Sequence, residues 1–384
     1  MITESLSRLV NYIESENYRG YDPYDMLKSP FFKLPILKSN KTIRFYSQQI
    51  GKRLPLNIRS LLFIPKGYNP VTLGLCIQGY SYLYQCDNNK EKKENYLSRI
   101  YFLIDELEKL VPINYSGACW GYDFPWTAKY ADIPSYQPTI VATGIITNAL
   151  FECFKITHLN KAFELCKSAT EFLLKDVNQS LDGDKICFSY SPFDKQKVLN
   201  ANMKGVRMLS QVYSISKDEV LLNHAKKAVD FVMQHQDENG SWPYSLASKG
   251  GWVDNYHTGY VLDCLHEYIN CTGEKLYIDN LKKGYDYYLK NFFEEGIIPK
   301  FYDKNRYPLD CTAAAQSILT LCRFGDVEKA RQIGEYTIDN MQHKKGYFYF
   351  RKYKMYSQKT SFMRWSNAWM MTSLSLWLLN DKLA

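Results

Sequence analysis

Apolar positions along this chain fall at i, i+3, i+4 and i+7 through one segment after another, the spacing that lines one face of an α-helix. Residues 1–18 carry Leu6, Leu9, Val10 and Ile13 on such a face. The same pattern predicts helices over 70–84, 91–110, 139–154, 160–174, 200–213, 221–236, 275–292, 312–324, 327–341 and 364–379. One more starts at Thr258 and runs through Tyr260, Val261, Cys264, Leu265 and Tyr268. Alternating strand patterns are scarce, and short pieces such as 347–351 sit in loops.

The loops repeat. GACWGYDFPW (117–126), DGDKICFSYSP (182–192), DENGSWPYS (237–245), EGIIPKFYD (295–303) and KGYFYFR (345–351) each follow a glycine with an aromatic within a few residues. They recur roughly every 50 to 70 residues, about the length of a helical hairpin, which is the signature of a repeat architecture. An all-α fold is expected, an α/α toroid of six-hairpin type with short β pieces in loops gathered at one mouth. An open α-solenoid would share the helix pairs but need not bring the Trp-Asp and His loops together. The expected division is a helix and polar-aromatic extension, 1–65, packed on a toroid, 66–384.

Composition narrows the function classes. With 46% hydrophobic and 23% charged residues the chain reads as a folded protein. Aromatics reach 15%, with 32 Tyr, which suits a sugar groove, since Tyr and Trp offer an apolar face and a polar handle; Tyr standing in for Leu and Phe in the core explains the count equally well. The net charge of +8 is dispersed, without a basic block, so no nucleic-acid partner is expected, whereas an anionic glycan would suit it. Ten Cys without a CxxC pair read as small core residues in a reducing compartment. The N-terminus lacks a leader-like pattern and no run looks long enough for stable membrane insertion, so a cytoplasmic location is expected. No metal or nucleotide motif is visible, and no cofactor is expected.

The chemistry-bearing residues cluster in five places. Trp120, Tyr122, Asp123 and Trp126 form the densest aromatic loop, followed by Gln137 before a Pro-Thr helix start. Trp242, Tyr244, Trp252, Asp254, Tyr256 and His257 arrive together ahead of a helix. Imidazole titrates near neutrality, and an adjacent carboxylate can orient it for proton transfer. Asp310 stands at a natural N-cap before an Ala-rich turn leading to Gln316. Arg364 and Trp365 open the last helix, where an arginine opposes the helix dipole and calls for a carboxylate, from protein or substrate. In the Tyr18–Asp25 loop, Tyr21, Asp22 and Asp25 are either a Pro turn with a capping Asp or part of a pocket wall.

The set GYDPYD, WGYDFPW, WPYS…WVDNYHTGYVLDCLHEY, YPLDCTAAAQSILTL and MRWSNAWMMTSLSLWLL resembles the α/α-toroid proteins of bacterial surface-polysaccharide biosynthesis loci (VpsJ-like) over nearly the whole chain. More distantly, Tyr256-His257-Thr258 and Ala315-Gln316 are similar to the C-terminal helical domain of glucuronyl C5-epimerases. The Gly-x-Trp loops also resemble the repeats of terpene cyclases, but neither a DDxxD run nor a DxDD motif is present.

Together these features lead us to expect a carbohydrate-active enzyme working on an oligosaccharide, polysaccharide or lipid-linked glycan. The expected chemistry is proton abstraction beside a uronate carboxylate, as in an epimerase or lyase. His257 or a loop tyrosine such as Tyr256 would be the base, Asp254 its orienting partner and Arg364 the carboxylate clamp. Trp120, Trp126, Trp242 and Trp252 would be stacking platforms, with Tyr122, Gln137, Tyr244, Gln316 and Trp365 as further contacts. A toroid glycoside hydrolase would instead use two carboxylates among Asp123, Asp254 and Asp310, and a non-catalytic glycan-binding or scaffold protein would use the aromatics alone.

Overall fold

A computed structural model describes residues 1–127 and 132–383. The chain opens with α1 (Ile2–Ser15), the short α2 (Pro35–Ser39) and α3 (Lys41–Arg53). Five hairpins follow: α4 (Pro70–Cys86) and α5 (Lys90–Lys109), α6 (Ile140–Thr157) and α7 (Asn160–Lys175), α8 (Leu199–Ser216) and α9 (Glu219–Met233), α10 (Asn255–Thr272) and α11 (Ile278–Asn291), α12 (Cys311–Arg323) and α13 (Val327–Met341). The last helix, α14 (Trp369–Leu383), is entered through a π-helical turn, Met363–Ala368.

The even-numbered helices from α4 to α14 pack side by side in sequence order, and α14 returns to α4, which closes the inner ring. This is the expected α/α toroid, not an open solenoid. Inner helices are buried on nearly all sides, as α12 shows with Ala313, Ala314 and Ala315 all at 0% exposure. Outer helices are amphipathic: α5 buries only Ile100, Leu103, Ile104 and Leu107, one stripe at helical spacing. Helix α1 lays Leu6, Leu9 and Ile13 against α14 and α13 and so takes the sixth outer place. The side chain of Gln342 fastens it there, accepting from Ser5 Oγ at 2.8 Å and donating to Ser5 O at 3.0 Å.

Helix α6 is long and apolar enough to cross a membrane, contrary to the reading of the hydrophobic runs. Its apolar character has a different cause, since its residues are mostly buried between α4 and α8 as ring wall. Short antiparallel strand pairs occur in the loops, including a three-stranded sheet of Leu309–Asp310, Tyr349–Lys352 and Ser357–Ser361.

Capping residues fix where the inner helices begin. Asn69 accepts from Val71 N ahead of α4, Thr139 from Ala142 N ahead of α6, Asp254 from His257 N ahead of α10, and Asp310 from Thr312 N and Ala313 N ahead of α12. Each satisfies backbone donors that the first turn cannot pair internally. The loops that carry the aromatic motifs therefore lead into inner-helix N-termini, and that end of the ring forms the mouth.

Candidate active site

A cavity of about 280 Å³ opens at this mouth. First-turn residues of four inner-ring elements line it: Val141 of α6, Asn200 of α8, His257 of α10 and Trp369 of α14. The π-helical turn before α14 adds Arg364 and Trp365, and the N-terminal segments add Tyr24 and Lys52. Its walls are otherwise largely aromatic.

Its wall carries the Asp254–His257 pair. Asp254 is 1% exposed, and its Oδ1 accepts the backbone N–H of His257 at 3.0 Å as the α10 cap. Oδ2 lies 2.7 Å from His257 Nδ1 and accepts from Trp252 Nε1 at 3.1 Å. One buried carboxylate thus caps the helix and holds the imidazole. In the neutral imidazole a carboxylate at Nδ1 places the proton there and leaves the lone pair on Nε2. Among the described residues no protein group bonds Nε2, and the ring borders the cavity between Tyr244, at 4.6 Å, and Tyr256, at 4.3 Å between ring centres.

The tyrosines around it are held as phenols. Burial, above all, raises the pKa of Tyr256, Tyr260 and Tyr190 well above the ordinary value, with Asp254 adding to the rise at Tyr256 and Tyr260. Such groups donate protons; they do not take them at neutral pH. Tyr256 thus stands as a phenol beside an imidazole whose Nε2 is unbonded among the described residues.

Arg364 reaches the cavity but is already paired. Its Nε and Nη2 donate to the two oxygens of Asp22 at 2.7 and 2.9 Å, and its guanidinium lies 4.7 Å from the ring centres of both Tyr122 and Trp365. Burial opposes its charge, but Asp22 more than offsets this and its pKa lies above the ordinary value. The carboxylate anticipated opposite Arg364 thus comes from the protein. Asp25 is likewise turned inward, accepting from Arg59 Nε at 2.6 Å, and of the GYDPYD loop it is Tyr24 that lines the cavity.

The structure brings together Tyr122, Trp126, Tyr244, Trp252, Asp254, Tyr256, His257, Arg364 and Trp365. The other expected residues lie elsewhere. Asp123 is buried outside the cavity, accepting from Lys28 Nζ at 2.7 Å and Asn69 Nδ2 at 2.6 Å. Asp310 is fully buried, capping α12 and receiving Arg351 Nε at 2.5 Å. Trp120 is a core residue at 0% exposure, donating Nε1 to Leu107 O at 2.9 Å. Trp242 wedges against Gly284 of α11, where an added Cβ would come within 2.5 Å of the indole. Gln137 accepts from Tyr115 at 2.8 Å away from the cavity. Gln316 lies deeper along the toroid axis, bonded to Asp263 at 2.8 Å and Thr320 at 2.9 Å.

Sequence reasoning missed Lys52, Tyr190, Asn200 and Tyr260 as site residues. Tyr190 belongs to the repeating loop at 182–192, and Tyr260 follows His257 by less than one helical turn, so position in the repeat marked both. Lys52 lies in α3, outside any repeat, and carries no such mark.

Solved structures that superpose on this chain include enzymes that act on sugars. The cellobiose 2-epimerase of Bacillus thermoamylovorans superposes over 99% of this chain and 100% of its own, with a TM-score of 0.66 at 12% identity. A glycoside hydrolase family 76 mannosidase from Bacteroides thetaiotaomicron covers 99% and 100%, with a TM-score of 0.64 at 10% identity. The α-1,6-mannanase of the same family from a Salegentibacter species covers both chains fully, with a TM-score of 0.60 at 12% identity. At such identities the likeness defines the fold. No protein-family model and no curated protein sequence matches the chain.

Proposed function

We propose that this protein is a glycan-modifying enzyme that abstracts a carbon-bound proton from a sugar, as an epimerase or lyase. The observation that carries the reading is the Asp254–His257 pair, with Nδ1 held at 2.7 Å and Nε2 left for substrate inside an aromatic cavity. His257 takes the proton at Nε2, Asp254 stabilises the imidazolium through Nδ1, and the protonated phenols nearby supply a proton to the opposite face or to a leaving group. Half-exposed Trp252, stacked on Tyr244 at 4.4 Å and 15°, offers a platform for a sugar ring. The shared fold with a cellobiose 2-epimerase supports this class.

Family 76 glycoside hydrolases share the fold as well. A pair of catalytic carboxylates is the usual requirement for glycoside hydrolysis, and Asp254 is the only one among the described cavity residues. The finer assignment is a uronic-acid residue of a surface polysaccharide or its lipid-linked precursor, handled in the cytoplasm. It is supported by the motif resemblance to toroid proteins of polysaccharide loci and by ten cysteines that are all unpaired.

The test is turnover by His257→Ala and Asp254→Asn on a panel of acidic and neutral oligosaccharides. Asn in place of Asp254 would donate to Nδ1, moving the imidazole proton to Nε2 and removing the base. Losses of about 10²–10⁴-fold are expected from either change. Turnover within about threefold of wild type in both would overturn the proposal.

A further inference from the structure

Among its described lining residues the cavity holds a single carboxylate against several N–H donors. Its one carboxylate is already engaged by three N–H groups, two from His257 and one from Trp252. Against that, Asn200 is 2% exposed with an Nδ2 that has no partner, and the buried Nε1 atoms of Trp126 and Trp365 also lack one.

Lys52 adds charge to this imbalance. Its amine borders the cavity 4.5 Å from the Tyr24 ring centre, donates to Tyr24 Oη at 2.5 Å, and among the described residues has no carboxylate within ion-pair distance. The nearby Arg351 cannot serve it, being a cation already bound to Asp310. Arg364 is matched by Asp22. Lys52 is therefore, among the described residues, the basic side chain of the cavity without a carboxylate bound to it. The first turns of α6, α8, α10 and the segment entering α14 converge on the same space, and their dipoles favour negative charge there.

From this arrangement we infer that the cavity holds an anion-binding subsite in which Lys52 and Tyr24 grip an anionic group on the sugar, a carboxylate or a phosphate. Lys52 donates to the anion directly. Tyr24, accepting from Lys52, is left with its own O–H to give. The inference deepens the reading of the cavity as a sugar site: it names Lys52, from α3, as the group that selects acidic sugars, in place of the clamp expected at Arg364. Burial, first, and then the Arg351 charge push the Lys52 pKa well below its ordinary value, and a bound anion would draw it back up.

Binding measured without turnover separates this claim from the catalytic one. Wild type, Lys52→Met and Lys52→Arg would be titrated calorimetrically with a neutral oligosaccharide, its uronic-acid counterpart and a sugar phosphate. Wild type is expected to prefer one of the acidic ligands over the neutral one by about tenfold or more, as one charge-assisted contact allows. Whether carboxylate or phosphate shows that preference identifies the anionic group. Lys52→Met should abolish the preference, and Lys52→Arg should restore it in large part, which excludes simple misfolding as the cause. Equal affinity of wild type for all three ligands, or a preference that survives in Lys52→Met, would overturn the inference. Absence of proton transfer from any sugar would instead count against His257 and leave the preference standing.

Discussion

The Arg364–Asp22 pair joins residues 342 positions apart and fastens the N-terminal segment to the entry of the last inner helix. Both side chains are 5% exposed or less, and the contact is bidentate at 2.7 and 2.9 Å. Removing one partner from a buried pair leaves the other charge without compensation, at a cost of about 3–5 kcal/mol. Arg364→Met also gives up the aromatic faces of Tyr122 and Trp365, about 0.5–2 kcal/mol each. Asp22→Leu and Arg364→Met should therefore each destabilise strongly, with Arg364→Met the worse. The double variant buries no unpaired charge, so it should be far more stable than the sum of the two losses implies. Denaturant unfolding of the four proteins in a double-mutant cycle measures the coupling, expected at about 2–3 kcal/mol. Coupling below about 0.5 kcal/mol would show that the two groups act independently. It would refute the structural role given to Arg364 and return it to service as a substrate clamp.

Three further predictions concern a lysine of the inner ring and two tryptophans. Lys204 of α8 is 1% exposed, its ammonium 3.7 Å from the Tyr260 ring centre, and its pKa is pushed down to about 7 by burial and then by Arg207. Between about pH 7 and its unfolded value near 10.4 the unfolded chain holds a proton that the folded chain does not, so this group makes stability rise with pH across that window. Lys204→Met should stabilise the protein most at or below about pH 7, on the order of a few kcal/mol, with the gain shrinking towards pH 10; unfolding midpoints showing a pH-independent gain would contradict this. Trp252→Ala should weaken sugar binding with a small change in unfolding midpoint. Trp242→Ala, which empties a core site, should destabilise by about 3–5 kcal/mol, and the reverse ordering in paired binding and unfolding assays would misplace both indoles.

The toroid was legible because its two rings have different periodic signatures and its loops repeat. Hairpin length and the Gly-aromatic loops survive in one dimension, so closure and the mouth followed from them. The position of the acids did not. Asp254 and Asp310 both precede inner helices and both cap them, yet Asp254 faces the cavity while Asp310 turns to Arg351. Nothing local to either motif distinguishes the two, because the partner of Asp310 is 41 residues away. Tryptophan is ambiguous for a similar reason: Trp120 and Trp126 share one loop, and only a fold that brings Leu107 to the indole N–H of Trp120 sends it into the core. Helix α3 lies outside the repeat altogether, so Lys52 acquires its role only when the chain places it beside Tyr24 and the ring helices.

Proton abstraction by His257 is tested most directly by incubating the purified protein in D₂O with uronic-acid and neutral oligosaccharides and following the sugar carbons by NMR. Deuterium is expected at the carbon beside the carboxylate of an acidic sugar, absent when Asp254→Asn replaces wild type. New reducing ends with no deuterium in any sugar, or bound sugars with neither product nor exchange, would contradict it.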